Sequence, residues 1–190
     1  MKIKNCFLAL TLCSTAVILN GCSTEPLNFT PTEISFSADK INGDFRTVSV
    51  SFAKDHEKTG ELEVGKFGNQ YELSFRTTYK DALEEAIVTS GVYDPNSKTK
   101  IAVFAKVLRF GRAPMSSNYR TLMDTQYKVQ NLNTGQIIFI KNISSEGEAN
   151  LGYAFSSDTR FTEARNRCVR NNIYFFIKEL QEFAGSQNTK

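Results

Sequence analysis

Apolar and polar positions alternate along several short stretches of the chain. Strict alternation predicts strands with one buried face. Arg46–Phe52 and Tyr119–Gln130 are predicted in this way. Ile101–Phe110 is predicted as a mostly apolar strand, and Asn133-Thr134-Gly135 is a hairpin signal that joins Tyr119–Gln130 to a further strand at Gln136–Ser144. A further hairpin is predicted within Leu62–Phe75, where two glycines separate short alternating runs. The sheet would therefore contain about five strands.

Two longer stretches place apolar residues three and four apart, which is typical of amphipathic helices. The first helix is predicted to begin at Tyr79, behind a capping hydroxyl on Thr78, and to end at Gly91. The second is predicted from about Asp158 to about Phe183. This order of elements predicts an α+β fold, with a mostly antiparallel sheet and two amphipathic helices packed on one face.

The first 21 residues predict a secretory signal, with two lysines ahead of an apolar run that is too short to span a bilayer. The run ends in Leu19-Asn20-Gly21-Cys22, which resembles the bacterial lipobox, where cleavage falls between Gly21 and Cys22. The resemblance implies three acyl chains (palmitate or similar) on Cys22 and, because Ser23 follows, the outer membrane. An ordinary cleavable signal followed by an unrelated cysteine is the alternative.

Composition divides the chain into four parts. Residues 1–21 are predicted to be the lipoprotein signal peptide and residues 22–40, with two prolines and few apolar residues, a lipidated tether. Residues 41–184 form the predicted periplasm-facing domain, and 185–190 a disordered tail. After cleavage and lipidation, Cys168 is the one thiol left, so no intramolecular disulfide is expected.

Three of these features together resemble a known group of proteins. They are Tyr79–Gly91 (YKDALEEAIVTSG), a hairpin, and Gly152–Phe155 (GYAF) leading into a long helix. Over roughly Arg46–Phe183 the order is similar to small envelope lipoproteins: the TolB amino-terminal domain, penicillin-binding-protein activators, curli-secretion-channel subunits and, still more closely, uncharacterised outer-membrane lipoproteins. The resemblance lies in architecture and spacing. It implies interaction and assembly work without catalysis, and it assigns no functional residue.

No residue set in the sequence suits an enzyme, a metal or a cofactor. His56 is the single histidine and lies in a charged loop, whereas zinc sites need clustered ligands. Ser51-x-x-Lys54 matches a serine–lysine pattern, but odd spacing on a strand directs the two side chains to opposite faces. Cys168 falls on the buried stripe of the last helix, which favours an inert core thiol over a nucleophile. We therefore expect no enzymatic activity, no metal and no cofactor.

Charge is distributed unevenly along the chain. From Pro95 to Met123 there are six bases and no acid, and Arg109, Arg112 and Arg120 form a candidate partner-binding patch for anionic glycan, lipid headgroup or an acidic protein face. The alternative is a surface that neutralises itself. The mature chain up to Asp94 has a net charge of −6 and the remainder +7, which would also permit head-to-tail homo-oligomers.

A second group of arginines lies on the early turns of the last predicted helix. Cations there oppose the helix dipole, which favours pairing with an acidic residue of the chain; an external anionic partner is the alternative. The arginines are Arg160, Arg165, Arg167 and Arg170, and the candidate acids are Glu63, Glu84 and Glu85.

These features predict a non-enzymatic outer-membrane lipoprotein that faces the periplasm. Its role would be an interaction or assembly component of an envelope machine for secretion, polysaccharide export or cell-wall synthesis. The expected partners are the membrane through the lipid on Cys22, an envelope protein, and further copies of the chain; the compartment excludes nucleic acid. The alternative is a carrier that holds a lipid or glycan in a cavity between sheet and helix.

Overall fold

The computed structural model of the protein describes residues 26–113 and 118–188. The predicted signal peptide, its cleavage site and the lipidation site at Cys22 lie outside these residues. Two short 3-10 turns, Asp55–Glu57 and Val64–Phe67, precede the first helix. In chain order the elements are β1 (Asp44–Phe52), α1 (Asn69–Ser90), β2 (Lys100–Arg112), β3 (Tyr119–Asn131), β4 (Ile137–Ala149) and α2 (Ser157–Asn188).

The four strands form one mixed sheet in the order β1-β2-β3-β4. β1 pairs with β2 in parallel, and the other two pairings are antiparallel. Neighbouring parallel strands need a crossover connection, which α1 provides. The α+β class is confirmed. The predicted sheet of about five mostly antiparallel strands is wrong in detail, because the described residues contain four strands and one edge pairing is parallel.

The hairpin predicted within residues 62–75 is absent from the structure, and a 3-10 turn followed by α1 occupies that segment. Tyr71, Leu73 and Phe75 alternate as they would on a strand. However, Tyr71, Phe75 and Tyr79 are spaced four apart, and neighbouring rings lie close together. The ring centroid of Phe75 is 6.5 Å from that of Tyr71 and 5.9 Å from that of Tyr79. Leu73 is exposed. Packing of this aromatic stripe therefore favours a helix over the strand that the alternation predicted.

Helix α1 is longer than predicted at its amino end and ends where predicted. It begins at Asn69, so Thr78, the predicted cap, lies in the helix interior. Gly91 ends it in the left-handed conformation with φ 60°, and its amide donates to the carbonyl of Val88. Glycine reaches this conformation without steric cost, which explains why the stop signal was readable in the sequence.

Both helices pack on the same face of the sheet. The ring of Phe176 on α2 stacks on Tyr127 of β3 with centroids 3.9 Å apart, and Tyr79 of α1 contacts the same phenol. The hairpin predicted at residues 133–135 is confirmed, with Gly135 at φ 76°. The buried stripe predicted for α2 is also confirmed, apart from a half-buried Phe161; its fully buried members are Ala164, Cys168, Val169, Ile173, Phe176, Ile177 and Leu180.

The segment before β1 lies against the helices. Phe29 is 1% exposed and its ring packs on that of Phe75, 5.1 Å away. The Asn28 amide donates to Oδ1 of Asn166 on α2, at 3.1 Å. Residues 26–40 thus belong to the folded domain, although the sequence predicted a tether over 22–40. At the other end, the predicted disordered tail is helical as far as Asn188.

Candidate functional site

The structure does not join the three predicted patch arginines into one basic surface. Arg109 lies 3.0 Å from Asp124 across the β2–β3 pairing. Arg120 forms an ion pair with Glu146 across the β3–β4 pairing. Arg112 is exposed and has no carboxylate at ion-pairing distance among the described residues. Two of the three charges are therefore neutralised within the sheet, and Arg112 is separate from them.

Arg112 joins a group of rings and arginines formed by α2 and the ends of the strands. Its guanidinium lies 4.7 Å from the ring centroid of Phe161 and 5.7 Å from that of Tyr119. Arg160 lies over the other side of the group, 5.1 Å from Tyr119. The rings of Phe161 and Phe67 are 6.5 Å apart, which links α2 to the start of α1. The cluster was not predicted from the sequence, because four separate segments of the chain contribute to it.

Arg165 lies beneath this group and is buried. Its guanidinium is 3.7 Å from the ring centroid of Phe161 and 4.0 Å from that of Phe67. One amino group donates to the Tyr71 hydroxyl at 3.3 Å, and another lies 3.5 Å from Glu63. Burial lowers the pKa of Arg165, and Tyr71 and Glu63 oppose that shift. Arg165 is thus a structural cation, and the predicted pairing with Glu63 is confirmed.

The remaining arginines of the α2 group are also paired. Arg167 and Arg170 lie 2.6 and 2.8 Å from Glu163, which is itself buried. Of the other candidate acids, Glu84 accepts the Val48 amide at 3.0 Å and so joins α1 to the edge strand β1. These charges stabilise the fold and leave Arg112 and Arg160 as the cations without a carboxylate partner in this region of the described structure.

Four large apolar side chains are exposed around the same group. Phe155 is 106% exposed and Leu151 67%, and Phe67 and Tyr153 are exposed to 44% and 40%. Arg160 holds the segment in place, because Nη1 donates to the carbonyls of Ala154 and Phe155. We call this surface the loop end; it consists of Phe67, Arg112, Tyr119, residues 151–155 and Arg160.

A cavity of about 320 Å³ lies at the opposite end of the molecule, where α1 ends. Its lining includes Phe36, Ile87 and Tyr93, with Lys40 and Asp44 as charged members. The Tyr93 hydroxyl is buried and has no hydrogen-bond partner among the described residues. Burial raises the pKa of that phenol, so it is a neutral donor at physiological pH. The cavity thus offers a mainly apolar wall, and the enclosed Tyr93 hydroxyl lies behind that wall.

The candidate nucleophiles are not brought together. His56 is exposed in the first 3-10 turn, and Ser51 is exposed on β1. Cys168 is fully buried, and burial raises the pKa of its thiol from 9.0 to about 12. The thiol is thus protonated at neutral pH and hydrogen-bonded to Ser145.

The described residues form neither a metal site nor a membrane-spanning helix. In residues 26–113 and 118–188, no three His, Cys, Asp or Glu side chains converge as metal ligands would. Within the same ranges, no helix has the length and apolar content needed to cross a membrane.

No protein-family model and no curated protein matches the sequence. Protein XCC0632 from Xanthomonas campestris, family-model DUF330, is similar in structure with a TM-score of 0.57 and 12% identity, over 85% of this chain and 98% of that one. A candidate lipoprotein from Caulobacter crescentus has a TM-score of 0.44 and 9% identity (74% and 91% covered). A PelC dodecamer from Paraburkholderia phytofirmans has a TM-score of 0.43 and 8% identity (78% and 92% covered). The likeness to XCC0632 shows a shared bacterial α+β fold.

Proposed function

We propose that this chain is a non-enzymatic lipoprotein of the outer membrane that faces the periplasm and acts as an interaction or assembly component of an envelope machine. The observation that supports it is the Leu19–Cys22 motif at the end of a short apolar run. A thioether-linked diacylglycerol and an amide-linked chain on Cys22 supply the two or more acyl chains that stable anchoring requires. The resemblance in element order to small envelope lipoproteins supports the same role.

The proposed anchor would hold the domain closer to the membrane than a tether over residues 22–40 would. The sequence predicted a long tether, whereas the ordered fold includes Pro26, whose carbonyl accepts from Asn166 at 3.2 Å. Three residues lie between Cys22 and Pro26, and the distance from one Cα to the other is at most about 14 Å when the chain is extended. The domain would therefore lie against the leaflet, with its partner contacts made close to the membrane surface.

The positions of the reactive side chains support a role in binding without catalysis. Cys168 is enclosed and protonated, and His56 stands among exposed charged residues. Exposed apolar residues are instead gathered at the loop end, and such a patch is typical of an interaction surface.

The anchor is tested by mass spectrometry of protein extracted from membranes with detergent. We expect the mature chain to begin at Cys22 and to carry added acyl mass. Replacement by Cys22→Ala should leave the fold intact and release the protein as a soluble chain or an uncleaved precursor. An unmodified Cys22 in the wild-type protein would contradict the proposal. Crosslinking in intact cells, followed by purification, should then recover either an envelope partner or a homo-oligomer.

The second candidate function is a carrier for a small lipid or glycan fragment. The cavity lined by Phe36, Ile87 and Tyr93 favours it, because its wall is mainly apolar. Native mass spectrometry of the purified protein would test it. A co-purified molecule that is lost on Val88→Phe, which enlarges an exposed lining residue, supports a carrier. A ligand-free spectrum from every preparation argues against one.

A further inference from the structure

The topology gathers exposed apolar side chains at one edge of the molecule. The pairing directions place the carboxyl ends of β1, β2 and β4 and the amino end of β3 at that edge, and both helices begin there. Phe155 and Leu151 come from the β4–α2 connection, and Phe67 from the turn before α1. Single exposed apolar residues are ordinary on a protein surface, but several on one edge mark a surface that has a partner.

Several rings and cations of the loop end lie beside one another. Tyr119 and Phe161 are 6.2 Å apart between centroids, and Arg160 connects Tyr119 to the backbone of Phe155. On the far side, Arg167 lies 5.2 Å from the ring of Tyr153. The patch therefore combines aromatic and aliphatic side chains with guanidinium groups.

The charges of the patch favour an anionic partner. Arg112 is exposed, and its guanidinium lies 4.7 Å from the ring centroid of Phe161. Arg160 is held by backbone carbonyls, which leave its positive charge uncompensated. Asp158 is the exposed carboxylate on the same turn of α2. Aromatic and aliphatic side chains bordered by arginines are typical of proteins that lie at a lipid interface, where guanidinium groups meet phosphate.

The route of the chain brings the same edge towards the proposed anchor. Pro26 contacts Asn166, nine residues from the start of α2 at Ser157. Nine helical residues rise about 14 Å. The extended chain from Cys22 to Pro26 also spans up to about 14 Å. The acyl chains on Cys22 can therefore reach the level of the loop end.

We propose that the loop end is a second membrane contact. Phe155 and Leu151 insert into the leaflet that holds the acyl chains, and Arg112 binds the phosphates of anionic phospholipids. The inference deepens the proposed function and rests on it for the position of the anchor. It assigns the surface to lipid, and a protein partner at the same surface is the competing outcome of the test.

The absence of tryptophan from the sequence allows a site-specific test. Phe155→Trp in the full acylated protein, reconstituted into phosphatidylethanolamine–phosphatidylglycerol vesicles, introduces one fluorophore at the loop end. Val88→Trp, at the other end of α1 and 70% exposed, is the matched control. Apolar faces of interfacial proteins enter roughly 5–10 Å, so bromine high on the acyl chains should quench about half of the emission from the Phe155→Trp variant and leave the control unchanged.

A blue-shifted and quenched signal from Phe155→Trp with an unshifted Val88→Trp supports the inference. Emission from Phe155→Trp that stays unquenched in every vesicle overturns it and leaves a protein partner as the occupant. Acyl mass on Cys22 is measured in the same sample. If the protein is acylated and its Phe155→Trp emission is unquenched, the second membrane contact is refuted and the proposed function stands. If the protein carries no acyl mass, the proposed function is refuted, and the quenching measurement alone decides whether the loop end contacts lipid.

The role of the arginine is tested separately, on the mature chain carrying Cys22→Ala so that no acyl chain contributes. Binding to vesicles with phosphatidylglycerol should weaken about fivefold on Arg112→Gln, the usual effect of one surface cation. Lys98→Gln, exposed and at the opposite end of β2, is the control. Equal binding to purely zwitterionic vesicles, or an Arg112→Gln variant with wild-type affinity, would overturn the assignment of Arg112 to phosphate.

Discussion

Gly147 on β4 lies directly against the backbone of Cys168 on α2. A Cβ at position 147 would overlap the amide nitrogen and the Cα of Cys168 and the carbonyl of Ala164. The backbone of a helix cannot yield as a flexible side chain can. The absence of a side chain at this one strand position therefore sets how closely α2 approaches the sheet, and with it the depth at which the α2 stripe is buried.

Gly147→Ala should destabilise the protein by about 3 kcal/mol, because overpacking against a backbone forces α2 away from β4. The free energy of unfolding from urea titration, followed by circular dichroism, measures the change. Gly152→Ala is the control, since a Cβ there meets only Asn150 Oδ1 at 3.5 Å. A Gly147→Ala variant as stable as the control would show that α2 can move without cost.

A buried polar network joins both helices to the sheet. The hydroxyls of Tyr79 and Tyr127 are hydrogen-bonded to each other at 2.5 Å, and both lie within hydrogen-bond distance of Asn172 Oδ1, at 3.2 and 2.8 Å. One phenol donates to the other, which leaves one phenol proton for Asn172 Oδ1. Asn172 Nδ2 donates to the Ile143 carbonyl and to Ser145 Oγ, at 3.1 and 3.0 Å. The asparagine amide thus contacts groups on three other elements.

Asn172→Leu should lower the free energy of unfolding by about 2–4 kcal/mol, because it leaves one buried phenol proton and the Ile143 carbonyl without the partner that Asn172 provides. Thermal unfolding by calorimetry measures the change. Asn171→Leu is the neighbouring control, since Asn171 is exposed and makes one hydrogen bond, to the Glu146 carbonyl. Equal losses from the two variants would contradict a special role for the network.

Much of the fold was readable from the sequence, since apolar spacing and one hairpin signal predicted both helices and all four strands of the described structure. The segment around Tyr71 and Phe75 was misread because a period of two and a period of four share these positions. Only the contacts with Phe29 and Tyr79 select the helix. The same is true of residues 26–40, whose sparse apolar side chains gave no periodic signal although Phe29 is in the core.

The candidate site was less predictable, because it depends on strand register. A bulge between Val107 and Arg109 shifts β2 against β3 and pairs Arg109 with Asp124. Alternation alone cannot fix such a register. One local signal was available. The mostly apolar run 151–155 connects a strand to a helix, where polar residues are usual. The run is followed by Ser156, whose hydroxyl accepts from the Thr159 amide at the start of the helix. That run became the exposed part of the loop end.

Stability should fall as the pH rises above 9. Burial raises the pKa of Cys168 from 9.0 to about 12, so the folded state keeps a proton that the unfolded chain releases. This contribution is complete below pH 9 and is lost towards pH 12, at up to about 1.4 kcal/mol per pH unit. The pKa values of Tyr79 and Tyr127 are raised by burial too, and they add to the loss above pH 10.

Urea unfolding at a series of pH values from 8 to 10 measures this slope, and Cys168→Ala should flatten it between pH 9 and 10 even though the variant is less stable throughout. A wild-type protein with constant stability across that interval would show that the thiol is not enclosed.

Reversing the charge at Arg109 should destabilise the fold, contrary to the small effect expected of a surface patch. Asp124 faces Arg109 at 3.0 Å and also accepts from the Thr59 hydroxyl at 2.8 Å, with 14% of its side chain exposed. Arg109→Glu would place two carboxylates together in this half-buried position and should cost about 2 kcal/mol. Lys98→Glu, which is exposed, should change the free energy of unfolding by less than about 0.5 kcal/mol. If high salt does not reduce the difference between the two variants, repulsion with Asp124 is not its cause.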